Sequence, residues 1–520
     1  MSDPAIAAQI EELLHLADDL RASGKLDGAE ELLRGLIGLA PGPIVARGLG
    51  LTLAARGDWR GAASLLQEAP AEGETLNALA VCSLQMGDPA TALTWADQAL
   101  EAGFGDAFTN RGAALNRLGR FEEACDAFRR AIALDPRDIA AFVNLASALQ
   151  GLGRSLEAID AADRAIGLNL RMAPAHATRA NALYGLGRNA EAIPSYDAAL
   201  ALDPDQPRLQ VNRAYCHLEL GNFKDGWRDH EARWRVPGAL GPGRALAMPR
   251  WQGEDLEGKT ILLHCEQGMG DAIQFIRYAP LVAARGATVV VEAFQALQRL
   301  FTGAPGVDQV IIRSDPLPPL DFHCPLMSLP VALGLPQPYA PAGAYLTATA
   351  ETGARWKDAL PAASLRIGVC ASGNPAQGND AQRSIPLADL LAALPVGPSY
   401  LLLHKEVRET DRPALETRPD VAFLGDRITD LADTAALIDR MDLIVSVDTA
   451  VSHLAGALGK PVWILARIPA DWRYAHHPTR TAWYPTATVY RQEVPADWPG
   501  VLERVGRDLT ALMASRQVPT

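Results

Sequence analysis

Over roughly the first 230 residues, apolar positions recur with helical spacing in paired runs, and short polar turns separate the runs. Gly24, Gly57, Gly87, Gly119, Gly153, Gly187 and Gly221 each precede a Lys, Asp, Arg or Asn in such a turn, at intervals of 33, 30, 32, 34, 34 and 34 residues. "LGRFEEACDAFRRAIALDP" recurs as "LGRSLEAIDAADRAIGLNL" and "LGRNAEAIPSYDAALALDP". Small residues repeat where paired helices must approach closely: Ala124, Ala158 and Ala192, then Ala131, Ala165 and Ala199. Pro136 and Pro204 close two of the units, since proline stops a helix. One such helical pair cannot bury its own apolar face; stacked pairs can, and they curl into a solenoid with a concave groove. The first three units are less regular than the later ones.

Beyond "VPGALGPGRALAMPR" the period changes. Short apolar runs now alternate with helical patterns. "TILLHC", "ATVVVEAF", "DQVIIRS" and "FHCPL" form one set of strand candidates; "LRIGVCAS", "YLLLHK", "VAFLG", "LIVSVD" and "PVWILA" form a second. Two such sets predict two Rossmann-like domains facing one another, with a ligand cleft between them. The expected organisation is a repeat solenoid over 5–235, a linker over 236–258, a first Rossmann-like half over 259–345, a second over 346–496, and a C-terminal crossing helix over 497–514.

Composition narrows the function classes. A formal charge of −13 and a pI near 5.3, with no basic stripe, argue against a nucleic-acid partner. No apolar run approaches the ~18 residues of a membrane span, and the start has acids where a secretory peptide needs a basic region. The six cysteines are scattered without zinc-type spacing, which suits reduced thiols in a cytoplasm and predicts no metal centre.

Three stretches carry candidate chemistry. In "CEQGMGDAIQF", Gly268 and Gly270 lead from a strand into a helix, and Asp271 follows. The turn suits a phosphate, a plain cap in which Asp271 answers the helix dipole, or a reacting carboxylate. In "LIVSVDTAVSHLAGALGKPVWIL", Asp448 ends a strand, Thr449 and Ser452 open a helix, and His453 lies one turn in. That is a diphosphate cradle without a Walker lysine. "SGNPAQGNDAQRSIP" supplies Arg383 as a bidentate cation for the same diphosphate, and Lys405 after "LLLH" is a further candidate for phosphate or ribose. Each residue alone also suits a bland role: cap, satisfied interior histidine or surface charge. In the repeats, Asn110, Asn144 and Asn212 fall on one rung of the period, with Thr178 on the missing rung. Asparagine can pair with the backbone of an extended peptide or tie neighbouring helices together.

The repeats resemble tetratricopeptide repeats, and the asparagine series is similar to the acceptor-binding ladder of protein O-GlcNAc transferases. "CEQGMGDAIQFIRYAPLVAARGA", "ASGNPAQGNDAQRSIPL", "DLADTAALIDRMDLIVSVDTAVSHLAGALGKPVWIL" and "DWRY…AWYP" resemble the glycosyltransferase domain often fused to bacterial tetratricopeptide repeats, itself similar to ADP-heptose:lipopolysaccharide heptosyltransferases. The resemblance implies an α-solenoid followed by an α/β GT-B glycosyltransferase. Sugar would move from a nucleotide-sugar co-substrate, with no other cofactor. Asp271 would serve as base, with Arg383, Lys405, Asp448, Thr449, Ser452 and His453 on the donor side. A protein acceptor would lie in the repeat groove, flagellin being one candidate because flagellin glycosyltransferases share this layout. A glycan or lipopolysaccharide acceptor and a non-catalytic adaptor are the alternatives. Two departures stand out: the first Rossmann half is short, and "ASGN" at Ala371–Asn374 replaces the family's "WSGN". Asp430, Asp433, Trp472, Trp483, His476 and His477 are further candidates for donor contact or cover, and for the two aspartates capping is the competing role.

Overall fold

A computed structural model describes residues 4–517 except 239–244, 361–362, 377–379, 469, 475–476 and 495. The chain forms two compact units, Met1–Gly185 with Pro194–Pro204, and Leu186–Ile193 with Asp205–Thr520. Fourteen helices run in pairs from Pro4–Ala22 to Phe223–His230, as the glycine period predicts. All seven turn glycines take φ between +71° and +87°, the left-handed conformation that closes a helix. At Gly24, Gly87, Gly119, Gly153 and Gly187 an added Cβ would meet nothing within 4 Å, so conformation and not crowding requires glycine. Within the first unit, Ala124, Ala131, Ala158, Ala165 and Ala199 are buried, which is what lets helices pack at short range.

The second unit holds two parallel sheets. The first contains β1 (Thr260–His264), β2 (Thr288–Ala293), β3 (Gln309–Ile312) and β4 (Phe322–Pro325), in the order β3-β2-β1-β4. The second contains β5 (Arg366–Cys370), β6 (Ser399–Leu402), β7 (Val421–Phe423), β8 (Leu443–Val447), β9 (Val462–Ala466) and β10 (Ala487–Arg491), in the order β10-β9-β8-β5-β6-β7. In each sheet the chain winds outward from its first strand, then returns to that strand's other side. The reversal opens a crevice at the carboxyl ends of β1 and β4, and another at those of β5 and β8.

Cations and close backbone packing join the two halves. The helix Met269–Phe275 of the first half lies against Ala450–Ala457 of the second, where a Cβ on Gly270 would come 2.7 Å from the His453 ring. Arg277, buried with no carboxylate partner among the described residues, donates to the Trp483 carbonyl at 2.8 Å and the Tyr345 hydroxyl at 2.9 Å. Arg299 clasps Asp430 through two bonds of 2.7 Å.

Three expected boundaries move. The last helical pair belongs with the two sheet-containing halves: Trp227 meets Phe275, Trp472 and Trp483 edge-on at 5.3–6.1 Å, so its apolar face is buried there. The linker is built in from Pro249, because His323 of β4 donates to the Pro249 carbonyl at 3.1 Å and accepts Trp251 N–H at 2.8 Å, with Trp251 fully buried; 239–244 lie outside the described residues. The terminal helix Trp498–Gln517 seats Val501, Leu502, Val505 and Leu509 in the core of the second sheet instead of crossing back.

Glu219 shows what burial at the repeat end costs. It is buried with one carboxylate oxygen lacking a hydrogen bond, and Asn189 donates to the other. Burial pushes its carboxyl up from 4.5 to about 8 against that bond, and Asp471 adds repulsion. The native state therefore keeps a proton that the unfolded chain releases, and stability falls as pH rises from about 4.5 to 8. Glu219→Gln mimics the neutral acid. Its stability, followed by thermal melting, should match the parent at about pH 4 and exceed it increasingly up to pH 8, by roughly 1.4 kcal/mol per pH unit between the two pKa values. A difference that does not grow with pH across that window would contradict the assignment.

Candidate functional site

The crevice at the carboxyl ends of β5 and β8 holds a cleft lined by Arg383, Asp448, Ala466, Arg467, Asp471 and Tyr474. Arg383 reaches it from the short helix Asp380–Arg383; its guanidinium lies across Gly373, where a Cβ would come 2.3 Å from Nη2, and donates to the Asp448 carbonyl at 3.4 Å. Glycine at 373 is thus what admits the arginine. Arg467 follows β9 and donates to Gln382 at 3.0 Å. Two arginines at a topological switch point suit an anionic ligand such as a diphosphate.

Asp448 ends β8 and accepts from the Tyr474 hydroxyl at 3.0 Å. Burial pushes its carboxyl up to about 6, reinforced by repulsion from Asp471. His453 lies 3.7 Å from the same carboxylate, and its Nδ1 meets the Tyr484 hydroxyl at 2.7 Å. Burial and the cations Arg473, Arg277 and Arg383 hold it far below its usual range, so the imidazole is neutral. Thr449 caps the helix Ala450–Ala457: its N–H donates to Ser452 Oγ at 3.3 Å, and that hydroxyl returns to the Thr449 carbonyl at 2.7 Å. Ser452 is fully buried, and Thr449 Oγ1 turns inward to Ser446 at 3.3 Å.

In the first half, Asp271 sits on the first turn of its helix. One carboxylate oxygen accepts Gly268 N–H at 2.8 Å, and the other is ion-paired with Arg473. The cap expected at this turn is therefore present, and an ion pair between the two halves is added to it. Gly270 faces His453 and the Ala450 backbone, so its missing side chain serves the meeting of the two halves.

The structure brings Gly268, Gly270, Asp271, Arg383, Asp448, Thr449, Ser452 and His453 into one connected site. Lys405 stays apart, exposed, donating to the Thr429 carbonyl at 3.2 Å. Asp430 caps its helix through Ala432 N–H at 2.9 Å, and Asp433 is buried against Trp356 and Arg355, so capping and inter-half clasping account for both. Trp472 and Trp483 are buried in the aromatic core and do not cover a donor. His477 is exposed and accepts Thr479 and Arg480 N–H; His476 lies outside the described residues. In the first unit, Asn110 donates to Asn77 at 2.7 Å, which adds an earlier rung and ties two repeats together. Asn144 is half-buried, and Thr178 bonds back to the Pro174 carbonyl at 2.9 Å. Asn212 is half-buried in the second unit.

Sequence alone assigns no role to Arg467, Asp471, Arg473 or Tyr474, although "DWRY" carries part of the family resemblance. Their signal was there: three charged groups and a tyrosine within eight residues, directly after the strand beside the switch point.

Residues 403–465 match the model of glycosyltransferase family 9 (heptosyltransferase). Tetratricopeptide-repeat models match 14–77, 105–138 and 177–242. Protein FlbA of Caulobacter vibrioides is 25% identical over 353 residues, covering 60% of this chain and 56% of FlbA, so the chain spans just over half the length of that relative. Among solved structures, the hetero-tetramer Cut9-Hcn1 of APC/C is 17% identical with a TM-score of 0.37, covering 39% of this chain and 42% of that one. A tetratricopeptide repeat protein from Parabacteroides merdae is 19% identical with a TM-score of 0.36, covering 44% of this chain and 93% of that one. The family matches support a glycosyltransferase that carries tetratricopeptide repeats. Among the described residues no helix is long and apolar enough to cross a membrane.

Proposed function

We propose that the chain moves a sugar from a nucleotide-sugar to a hydroxyl of a protein acceptor selected by its repeats. The observation that carries this reading is the arginine-lined cleft at the ends of β5 and β8, with Asp271 of the other half tied by an ion pair to Arg473, which Asp471 of the cleft holds in turn. The acceptor oxygen attacks the anomeric carbon as the bond from that carbon to the phosphate oxygen breaks. Asp271 takes the hydroxyl proton; a carboxylate has about four lone-pair positions, so its two present bonds leave room for a third. Arg383 and Arg467 receive the charge that grows on the departing nucleoside diphosphate. No step in this scheme calls on a divalent metal. Flagellin is the acceptor we put first, on the strength of the repeat-plus-transferase layout alone.

The test separates acceptor choice from chemistry. Replacing Asn110, Asn144 and Asn212 together with alanine removes groups that would hold a peptide backbone, each worth about 0.5–1.5 kcal/mol. Protein modification should weaken by ~10- to 1000-fold while calorimetric nucleotide affinity stays unchanged. A melting curve controls for the lost Asn77–Asn110 bond. Full protein modification by the triple variant would move a lipopolysaccharide or other glycan acceptor ahead, the reading that the heptosyltransferase match favours.

A further inference from the structure

Residues Asp471–Tyr474 connect the arginine cleft to the first half in four consecutive positions. Asp471 and Tyr474 line the arginine cleft. Trp472 is buried in the aromatic core, 5.3 Å from Trp227 and 5.4 Å from Trp483. Arg473, only 5% exposed, leaves its own half and ion-pairs with Asp271, with Nε donating to Gln274 one turn further along the same helix. Its other terminal nitrogen is fixed by Asp471 through bonds of 2.9 and 3.1 Å, and the guanidinium stacks 4.1 Å from the centre of the Trp472 ring. Every arm of the fork has an acceptor. A lysine could keep the charge but could not reach Asp271, Gln274 and Asp471 together.

We infer that Arg473 is a positioning residue for Asp271, held by the donor-side Asp471 and fixing the direction of the Asp271 carboxylate. The inference rests on the proposed role of Asp271. Arg473 is 5% exposed and is not among the residues that line the arginine cleft. It acts on the base through geometry, and its anchor is a residue that a bound donor would lie beside. Loss of the fork therefore lowers turnover without an equal loss of nucleotide affinity.

The probes are UDP, GDP, ADP and CMP for affinity, and a panel of UDP-, GDP-, ADP- and CMP-linked sugars for turnover, read as nucleotide release by the full chain. With the donor that supports turnover, Arg473→Gln should lose about 100-fold in rate, the usual scale for misplacing a reacting group by ~1 Å. Its nucleotide affinity should stay within about threefold. Arg473→Lys, which keeps the charge but not the fork, should recover part of the rate. If the glutamine variant does not fold, the lysine variant decides alone: full parental rate overturns the inference, and a partial rate with parental nucleotide affinity supports it. Parental turnover in a folded glutamine variant, or affinity falling as far as turnover, also overturns it. Asp271→Asn run beside them separates the two claims. Full turnover there sinks the reading of the whole site, whereas a dead Asp271→Asn with parental turnover in Arg473→Gln sinks this inference alone.

Discussion

Asp271→Asn should leave the chain folded and able to bind nucleotide while lowering sugar transfer by about 10²–10⁴-fold, the usual range for removing a general base. The change is nearly isosteric. An amide oxygen can still accept Gly268 N–H and keep the helix cap, and Arg473 keeps Asp471 as a counter-ion. What disappears is the group we propose as the acceptor's base. Because the donor cleft is lined by other residues, nucleotide affinity should change little. Two assays on one preparation settle it, calorimetry with nucleoside diphosphate and single-turnover transfer. Transfer within a few-fold of the parent would return Asp271 to a cap that also braces Arg473.

The second large effect falls on the donor side. Arg383→Ala should weaken nucleoside diphosphate binding by roughly 10- to 150-fold, the equivalent of about 1.5–3 kcal/mol for a lost charged hydrogen bond. Arg383 is well placed for this: it spans Gly373, reaches the backbone of Asp448 and faces the same cleft as Arg467. Removing one of two cations that share a diphosphate leaves the other carrying the anion, so binding should weaken and not vanish. Equal affinities in parent and variant would make Arg383 a brace for the β5–β8 loops and leave Arg467 as the candidate anion ligand.

The parts legible from sequence were those with a local cause. The seven turn glycines could be read off because a left-handed turn restricts residue type at one position, and repetition made that restriction visible. Nine strands announced themselves as apolar runs; β10 did not, because "ATVYR" sits at the sheet edge with only part of it buried. Asp448, Thr449 and His453 were found through the strand-to-helix junction that orders them.

What stayed hidden depends on contacts far apart in the chain. Nothing near Asp271 indicates that its partner is Arg473, 202 residues later, and nothing near Gly270 indicates the His453 ring. Trp472 and Trp483 looked like a lid because aromatic residues in a loop suit one. Trp227, which belongs to the last helical pair, draws them into the core. The same packing takes that pair out of the solenoid's compact unit, a reassignment that a 34-residue period cannot express. Ser452 shows the converse: at a helix start it reads as a phosphate ligand, yet it is buried and bonded to the Thr449 carbonyl.

The central claim, sugar transfer to protein by Asp271 with acceptor choice in the repeats, comes down to the mass of an acceptor. Flagellin and other surface proteins should be prepared from cells that lack this chain, then incubated with the full chain and the nucleotide-sugar panel. Intact-mass spectrometry should show at least one protein gaining integer multiples of one sugar residue with the parent chain and gaining nothing with Asp271→Asn. Unchanged protein masses, with the same sugar appearing instead on lipopolysaccharide or another glycan, would contradict it.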